Sequence, residues 1–140
     1  MNCGGENEVP ANNSTAKGWA WFKPTNDSVA YQVNETGLNN VTAAHIHSGK
    51  VGVNGDVIVV LFESNNATGT STHGTFAQAN FTAADLKGPM QGKSISDLVR
   101  AMQNGETYIN IHTGAFPKGE IRGQISATTT TNTTTTTTIK

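Results

Sequence analysis

Apolar and polar side chains alternate one by one along several short stretches of the chain: Ala20 and Phe22 sit between Trp19, Trp21 and Lys23, and Val29, Tyr31 and Val33 alternate with Ala30, Gln32 and Asn34. A period of two puts every second side chain on one face of an extended strand, so these stretches do not fit an amphipathic helix. Pro24-Thr25-Asn26-Asp27 lies between them and presets a turn, which predicts a β-hairpin. Gly37-Leu38-Asn39-Asn40 makes a second turn before a strand over 41–47. Residues 48–55 hold three glycines and an Asn-Gly pair, hence a loop, and 56–63 read as a more continuously apolar strand. A fifth strand is expected over 74–81. Tyr108, Asn110 and His112 alternate with Ile109 and Ile111 in a sixth, and 119–126 supply the last. Thr82 and Asp85 suit a short capped helical turn, and Ser96 can cap a helix over 97–103 that Gly105 ends. The expected fold class is all-β: an antiparallel Greek-key β-sandwich or barrel of about seven strands with one short inserted helix.

At 140 residues the chain suits a single core. Residues 1–15 are polar and turn-rich and read as an N-terminal lead-in, 16–126 as the β-domain, and 127–140, almost entirely threonine, as a low-complexity tail. Threonine's strand propensity also lets such a tail pair with a sheet edge on a neighbouring molecule, giving a homo-oligomer or filament. Nine Lys plus Arg against ten Asp plus Glu leave a formal charge of −1, which provides no basic surface for a nucleic acid backbone. No apolar run approaches the roughly 20 residues of a transmembrane helix. Cys3 is the single cysteine, so no intrachain disulfide forms; followed by two glycines, it resembles the lipid-modified start of a processed lipoprotein and is a candidate lipid anchor.

Asn-x-Ser/Thr triplets begin at Asn12, Asn13, Asn26, Asn34, Asn40, Asn66, Asn80 and Asn132, and their density points to a glycosylated protein that is secreted or on the cell surface. The most informative cluster is His45-Ile46-His47. On a strand both imidazoles leave the same face roughly 7 Å apart at the backbone, close enough to reach one metal ion. His112 lies on another predicted strand, and if the two strands are neighbours three imidazoles converge. Neutral nitrogens favour copper or zinc over calcium or magnesium. His73, in a polar stretch, is a candidate fourth ligand. The plainer alternative is that these histidines only satisfy hydrogen bonds. No nucleophile elbow, phosphate-cradling loop or dinucleotide fingerprint occurs. Glu120 and Arg122, two apart on one predicted strand, read as a mutual surface pair.

Glu8-Val9-Pro10, the block from Leu38-Asn39-Asn40-Val41 through His45-Ile46-His47, and Gly52-Val53-Asn54-Gly55 with the strand after it closely resemble the CHRD domain family, named for its occurrence in chordin. Phe81-Thr82-Ala83-Ala84-Asp85-Leu86, Asp97-Leu98, Gly105, Tyr108 to His112-Thr113, and Gly119-Glu120-Ile121-Arg122-Gly123-Gln124 resemble that family's later blocks, in its order. The resemblance spans residues 6–126 and implies a secreted or surface domain, while fixing the family better than the biochemical role. The histidines by themselves are similar to the copper half of copper,zinc superoxide dismutase, also a Greek-key sandwich. That similarity implies His45, His47 and His112 as copper ligands and matches Arg122 loosely to an anion-guiding arginine. The enzyme's cysteine pair and long zinc-binding loop are absent here, and His73 is the only candidate for its bridging histidine.

Two main readings follow. One is an extracellular or cell-surface domain that binds a copper-class ion, copper or zinc, through three histidines. The other is a structural or interaction module that self-assembles or contacts matrix through sheet edges and the Thr-rich tail. A small superoxide-handling enzyme is a third.

Overall fold

The computed structural model describes residues 3–126 in full and the backbone of 127–128 and 136–139. The expected hairpin forms from β1 (Lys17–Pro24) and β2 (Ser28–Thr36), paired antiparallel from Lys17↔Thr36 to Pro24↔Val29. The other described strands are β3 (Val41–Ser48), β4 (Val57–Glu63), β5 (Gly74–Thr82), β6 (Thr107–Thr113), β7 (Ile121–Gln124), β8 (Ser126–Thr128) and β9 (Thr136–Ile139). They build two antiparallel sheets, one ordered β5-β2-β1-β9-β8 and one ordered β4-β3-β6-β7. The result is a sandwich and not a closed barrel. The inward residues of both sheets, among them Phe22, Val33, Ile46, Ile58, Ile109, Ile111 and Ile121, form the buried core. The Tyr31 hydroxyl crosses it to donate to the Leu61 carbonyl at 2.7 Å, tying β2 to β4.

Three expectations need correction. The strand predicted over 119–126 is two strands: β7 belongs to the four-stranded sheet and β8 to the five-stranded one. The crossing falls at Ile125, which is fully buried and whose N–H donates to the Thr107 carbonyl. The one α-helix among the described residues, α1 (Ile95–Gln103), is capped by Ser94 and not by Ser96. Ser94 places Asp97 at the third helical position, where each residue's side chain accepts from the other's backbone N–H; a cap at Ser96 would forfeit that reciprocal pair. The shorter turn over Ala83–Asp85 does carry the Thr82–Asp85 capping box.

The third correction is larger. The lead-in is built into the sandwich. Cys3 exchanges backbone hydrogen bonds with Gly18 of β1, and Gly4 exchanges them with Arg122 of β7, so this segment stitches the two sheets together. Asn7 donates to the Arg122 carbonyl, Asn12 to the Glu120 carbonyl, and Ser14 to the Glu120 carboxylate. Cys3 itself is 1% exposed, and burial pushes its thiol up to about 12. A lipid on that sulfur would require Cys3 to leave the core. The sequence pattern missed all this because polar side chains, and no apolar stripe, make the contacts.

At the other end, β9 pairs antiparallel with β1, Trp21 opposite Thr138, and with β8. The edge of β1 is therefore occupied within the chain. The part of the tail over 129–135, with Asn132, lies outside the described residues.

Deleting residues 1–14 should lower the urea midpoint and cost more than about 2 kcal/mol, because it removes buried hydrogen bonds to β1 and β7 together with Cys3. An unfolding curve unchanged by the deletion would contradict the packing described here.

Candidate metal centre

β3 and β6 are hydrogen-bonded neighbours, with His45 opposite Asn110, His47 opposite Tyr108 and Ala43 opposite His112. Their alternate residues Ala44, Ile46, Ile109 and Ile111 point into the core, so the three histidines leave the outer face of the four-stranded sheet together. Ring centroids are 4.9 Å apart for His45 and His112, 5.6 Å for His45 and His47, and 6.1 Å for His47 and His112. One ligand nitrogen from each ring lies within 4.8 Å of the others.

The backbone assigns the tautomers. His47 Nδ1 lies 2.9 Å from the Gly55 carbonyl and His112 Nδ1 lies 2.9 Å from the Pro117 carbonyl. A carbonyl only accepts, so both Nδ1 atoms carry hydrogen and both Nε2 atoms are unprotonated acceptors. His112 Nε2 accepts from His45 Nδ1 at 3.3 Å. His47 Nε2 is buried and has no partner; with Thr107 Oγ1 it is one of two such side-chain atoms among the described residues. Metal-binding histidines characteristically donate their second ring N–H to a carbonyl, as two of these three do. The His45–His112 separation matches the roughly 3.4 Å expected for two nitrogens held tetrahedrally at about 2.0–2.1 Å from one ion. The wider limit for the full set requires the rings to draw together around an ion.

The surroundings keep the cluster neutral. Burial lowers the pKa of all three histidines, and the neighbouring His112 and His47 help bring His45 to about 4. His47 stacks on Tyr108, with centroids 4.9 Å apart and planes 6° from parallel, while the Arg122 guanidinium lies 3.4 Å from the centroid of the Tyr108 ring. Arg122 is 2% exposed and donates to Asn54 Oδ1 and to the Lys50 and Val53 carbonyls, holding the loop after β3 against the sheet. The Gly55 carbonyl that orients His47 belongs to this loop. A Cβ on Gly55 would stand 1.6 Å from the Ser48 carbonyl oxygen, so no other residue fits there. Beside His47 opens a cleft of about 460 Å³, lined in part by Glu8, Asn54, Tyr108, Asn110 and Lys118. Glu8 accepts from Asn110, and burial pushes its carboxyl up to about 7 against the opposing pull of Arg122.

Other sequence-predicted residues fall elsewhere. His73 is exposed just before β5, a strand of the opposite sheet, and stands outside the cluster. Glu120 and Arg122 are not a surface pair. Both are buried, and Glu120 accepts from Ser14 and Thr113 while Arg122 grips the loop. So engaged, Arg122 is not placed as a free anion guide. Of the glycosylation candidates, Asn13, Asn26, Asn40, Asn66 and Asn80 are exposed. The Asn12 and Asn34 amides donate to the Glu120 and Trp19 carbonyls. Glu8, Tyr108 and the Gly55 and Pro117 carbonyls were not singled out as site groups by sequence reasoning. Asn54-Gly55 after the His-x-His strand was the one available signal.

The fold and site define a class: an antiparallel β-sandwich domain with a neutral imidazole cluster on the outer face of one sheet. A family profile described as CHRD domain matches residues 2–125, and the chain belongs to that family. No curated protein and no solved structure matches it. Among the described residues no helix is long and apolar enough to cross a membrane.

The lowered histidine pKa values mean that the unfolded chain binds protons the folded one refuses below pH 6.5, the ordinary value, and for His45 down to about 4. The stability they contribute is complete above pH 6.5 and is lost as pH falls through that window. Glu8 acts oppositely: its contribution is complete below 4.5 and is lost as pH rises through about 7. With three histidines against one carboxyl, the urea midpoint of metal-free protein should fall on acidification from pH 6.5 to 4.5. His45→Gln should flatten that fall. An equal slope in wild type and variant would contradict the burial assigned to His45.

Proposed function

We propose that this CHRD domain is a secreted or cell-surface module that binds one copper-class ion through His45 Nδ1, His47 Nε2 and His112 Nε2, copper being favoured over zinc. The observation that carries the reading is the buried His47 Nε2, a lone pair with no donor to meet it, on a ring whose ligand nitrogen lies within 4.8 Å of one from each of His45 and His112. A buried acceptor left unpaired costs stability, and an ion or a water is the usual resolution. Three neutral nitrogens suit copper(II), copper(I) or zinc and fit calcium or magnesium poorly. Copper would supply one-electron redox chemistry and zinc only a fixed charge. The chain's part is to hold the rings: the Gly55 and Pro117 carbonyls set two tautomers, Tyr108 stacks on one ring, and Arg122 fixes the loop. The extracytoplasmic location draws on the density of glycosylation triplets and on family membership.

Titration of metal-free protein with copper(II) should saturate near one ion per chain and give nitrogen hyperfine structure in the electron paramagnetic resonance spectrum. His47→Ala or His112→Ala should weaken binding by about 100-fold or more. Unchanged uptake in the His45→Ala/His112→Ala double variant would overturn the assignment and leave the interaction-module reading.

A further inference from the structure

The outer face of the other sheet carries a second constellation, remote in kind from the histidines. The pairing of β1, β2 and β5 sets Trp21, Gln32 and Gln78 in one row across the sheet and Lys23, Ala30 and Asn80 in the next. Trp19 begins a third row, opposite Asn34 and then Thr75. Gly18, Ala20 and Phe22, which alternate with the tryptophans, are buried, so both indoles stand on the outward face, Trp19 with 41% of its surface in water.

The polar groups around the rings are tied into a fixed frame. The Asn34 amide donates to the Trp19 carbonyl at 3.4 Å and to Gln32 Oε1 at 3.3 Å. Thr75 donates to Asn34, and Gln32 Nε2 donates to Gln78 Oε1 at 3.4 Å. The Lys23 ammonium, on an exposed flexible stem, rests 4.8 Å from the Trp21 ring centroid, where a ligand could displace it.

This combination selects a ligand class. Across β1, β2 and β5 the three rows hold one cation and no carboxylate, so the charge on offer there suits a neutral partner. Ala30 is their only aliphatic side chain, whereas a protein partner would call for an apolar, close-packed centre. What the face presents is flat indole surface bordered by amides, each both donor and acceptor. The C–H face of a hexopyranose matches the first and its hydroxyl groups the second. We propose that this face binds a neutral polysaccharide, a sugar ring stacking on Trp19 while hydroxyls meet Gln32, Gln78 and Asn80.

The readout is built in, because Trp19 and Trp21 are the chain's two tryptophans. The 140-residue chain from a bacterial host, free of its own glycans, would be run through native gels containing hydroxyethylcellulose, mixed-linkage β-glucan or glycol chitin, with polygalacturonate as an anionic control. Tryptophan emission would be followed as cellohexaose or chitohexaose is added. Retardation by at least one neutral polymer and a shift in emission are expected. Trp19→Ala should weaken binding about tenfold or more, and Trp19→Phe should retain most of it. Should Trp19→Ala fail to fold, judged by circular dichroism, the exposed-face pair Gln32→Ala/Gln78→Ala should still weaken retardation. The proposal is overturned if no neutral probe retards the protein or shifts its emission. It is equally overturned if retardation survives both sets of variants, or if only polygalacturonate binds and Lys23→Ala abolishes that binding.

Discussion

Hydrogen bonds that tie a polar strip of chain, residues 3–14, along the β7 edge of the four-stranded sheet and through Glu8 to Asn110 on its outer face govern what the rest of this domain can do. An antiparallel sheet packed on one side ordinarily leaves its other face to water. Here β6 is buried along nearly its whole length because the strip and the loop after β3 cover it. Polar residues on that face, Asn110, Arg122 and Gln124, are consequently buried and have to find protein partners, which they do on loop carbonyls and on Glu8. The same loss of water moves the histidines toward the neutral form and lifts the Glu8 carboxyl.

A line of dependence runs from Arg122 to the histidines. The guanidinium fixes the loop through the Lys50 and Val53 carbonyls and Asn54, and the loop presents the Gly55 carbonyl to His47. Gly55 N–H in turn donates to the Tyr108 hydroxyl at 3.1 Å, and Tyr108 lies between Arg122 and His47. One buried cation therefore positions a ring it does not touch. That is a reason for Arg122 to be buried which a reading of the last strand as a surface ladder could not supply.

The strands, the hairpin and the His-x-His geometry were legible in the sequence because each follows from local periodicity: one register error would send His45 and His47 into the core. The convergence of His112 required knowing that β6 lies beside β3, a long-range pairing that the sequence supplied only as a condition. The cap at Ser94 was legible in principle, since Ser94-Ile95-Ser96-Asp97 carries the capping-box spacing and Ser96 does not. The packing of residues 3–14 was not. Its contacts reach across more than 100 residues and rest on side-chain amides meeting backbone carbonyls, interactions that leave no periodic trace. For the same reason Glu120 and Arg122 read as a surface pair: the pattern shows two opposite charges two residues apart, and the cover that buries them lies at the far end of the chain.

The pattern of unmet hydrogen bonding at the cluster is what favours the proposed site over a merely structural group of histidines. Three histidines kept for packing would pair their nitrogens, as His45 and His112 do with each other. His47 instead commits its donor to Gly55 and leaves its acceptor buried among groups whose remaining hydrogens are already given away. Protonation would relieve that acceptor, yet burial, the His112 ring and the Arg122 guanidinium oppose added charge. A metal ion would resolve the conflict differently, because it would take the lone pairs of all three rings at once and share its charge among them. Two rings already hold the required tautomer. Only His45 would have to move its Nδ1 proton to Nε2 and surrender the bond to His112, so the cost of assembling the set is that one hydrogen bond and the drawing together of the rings.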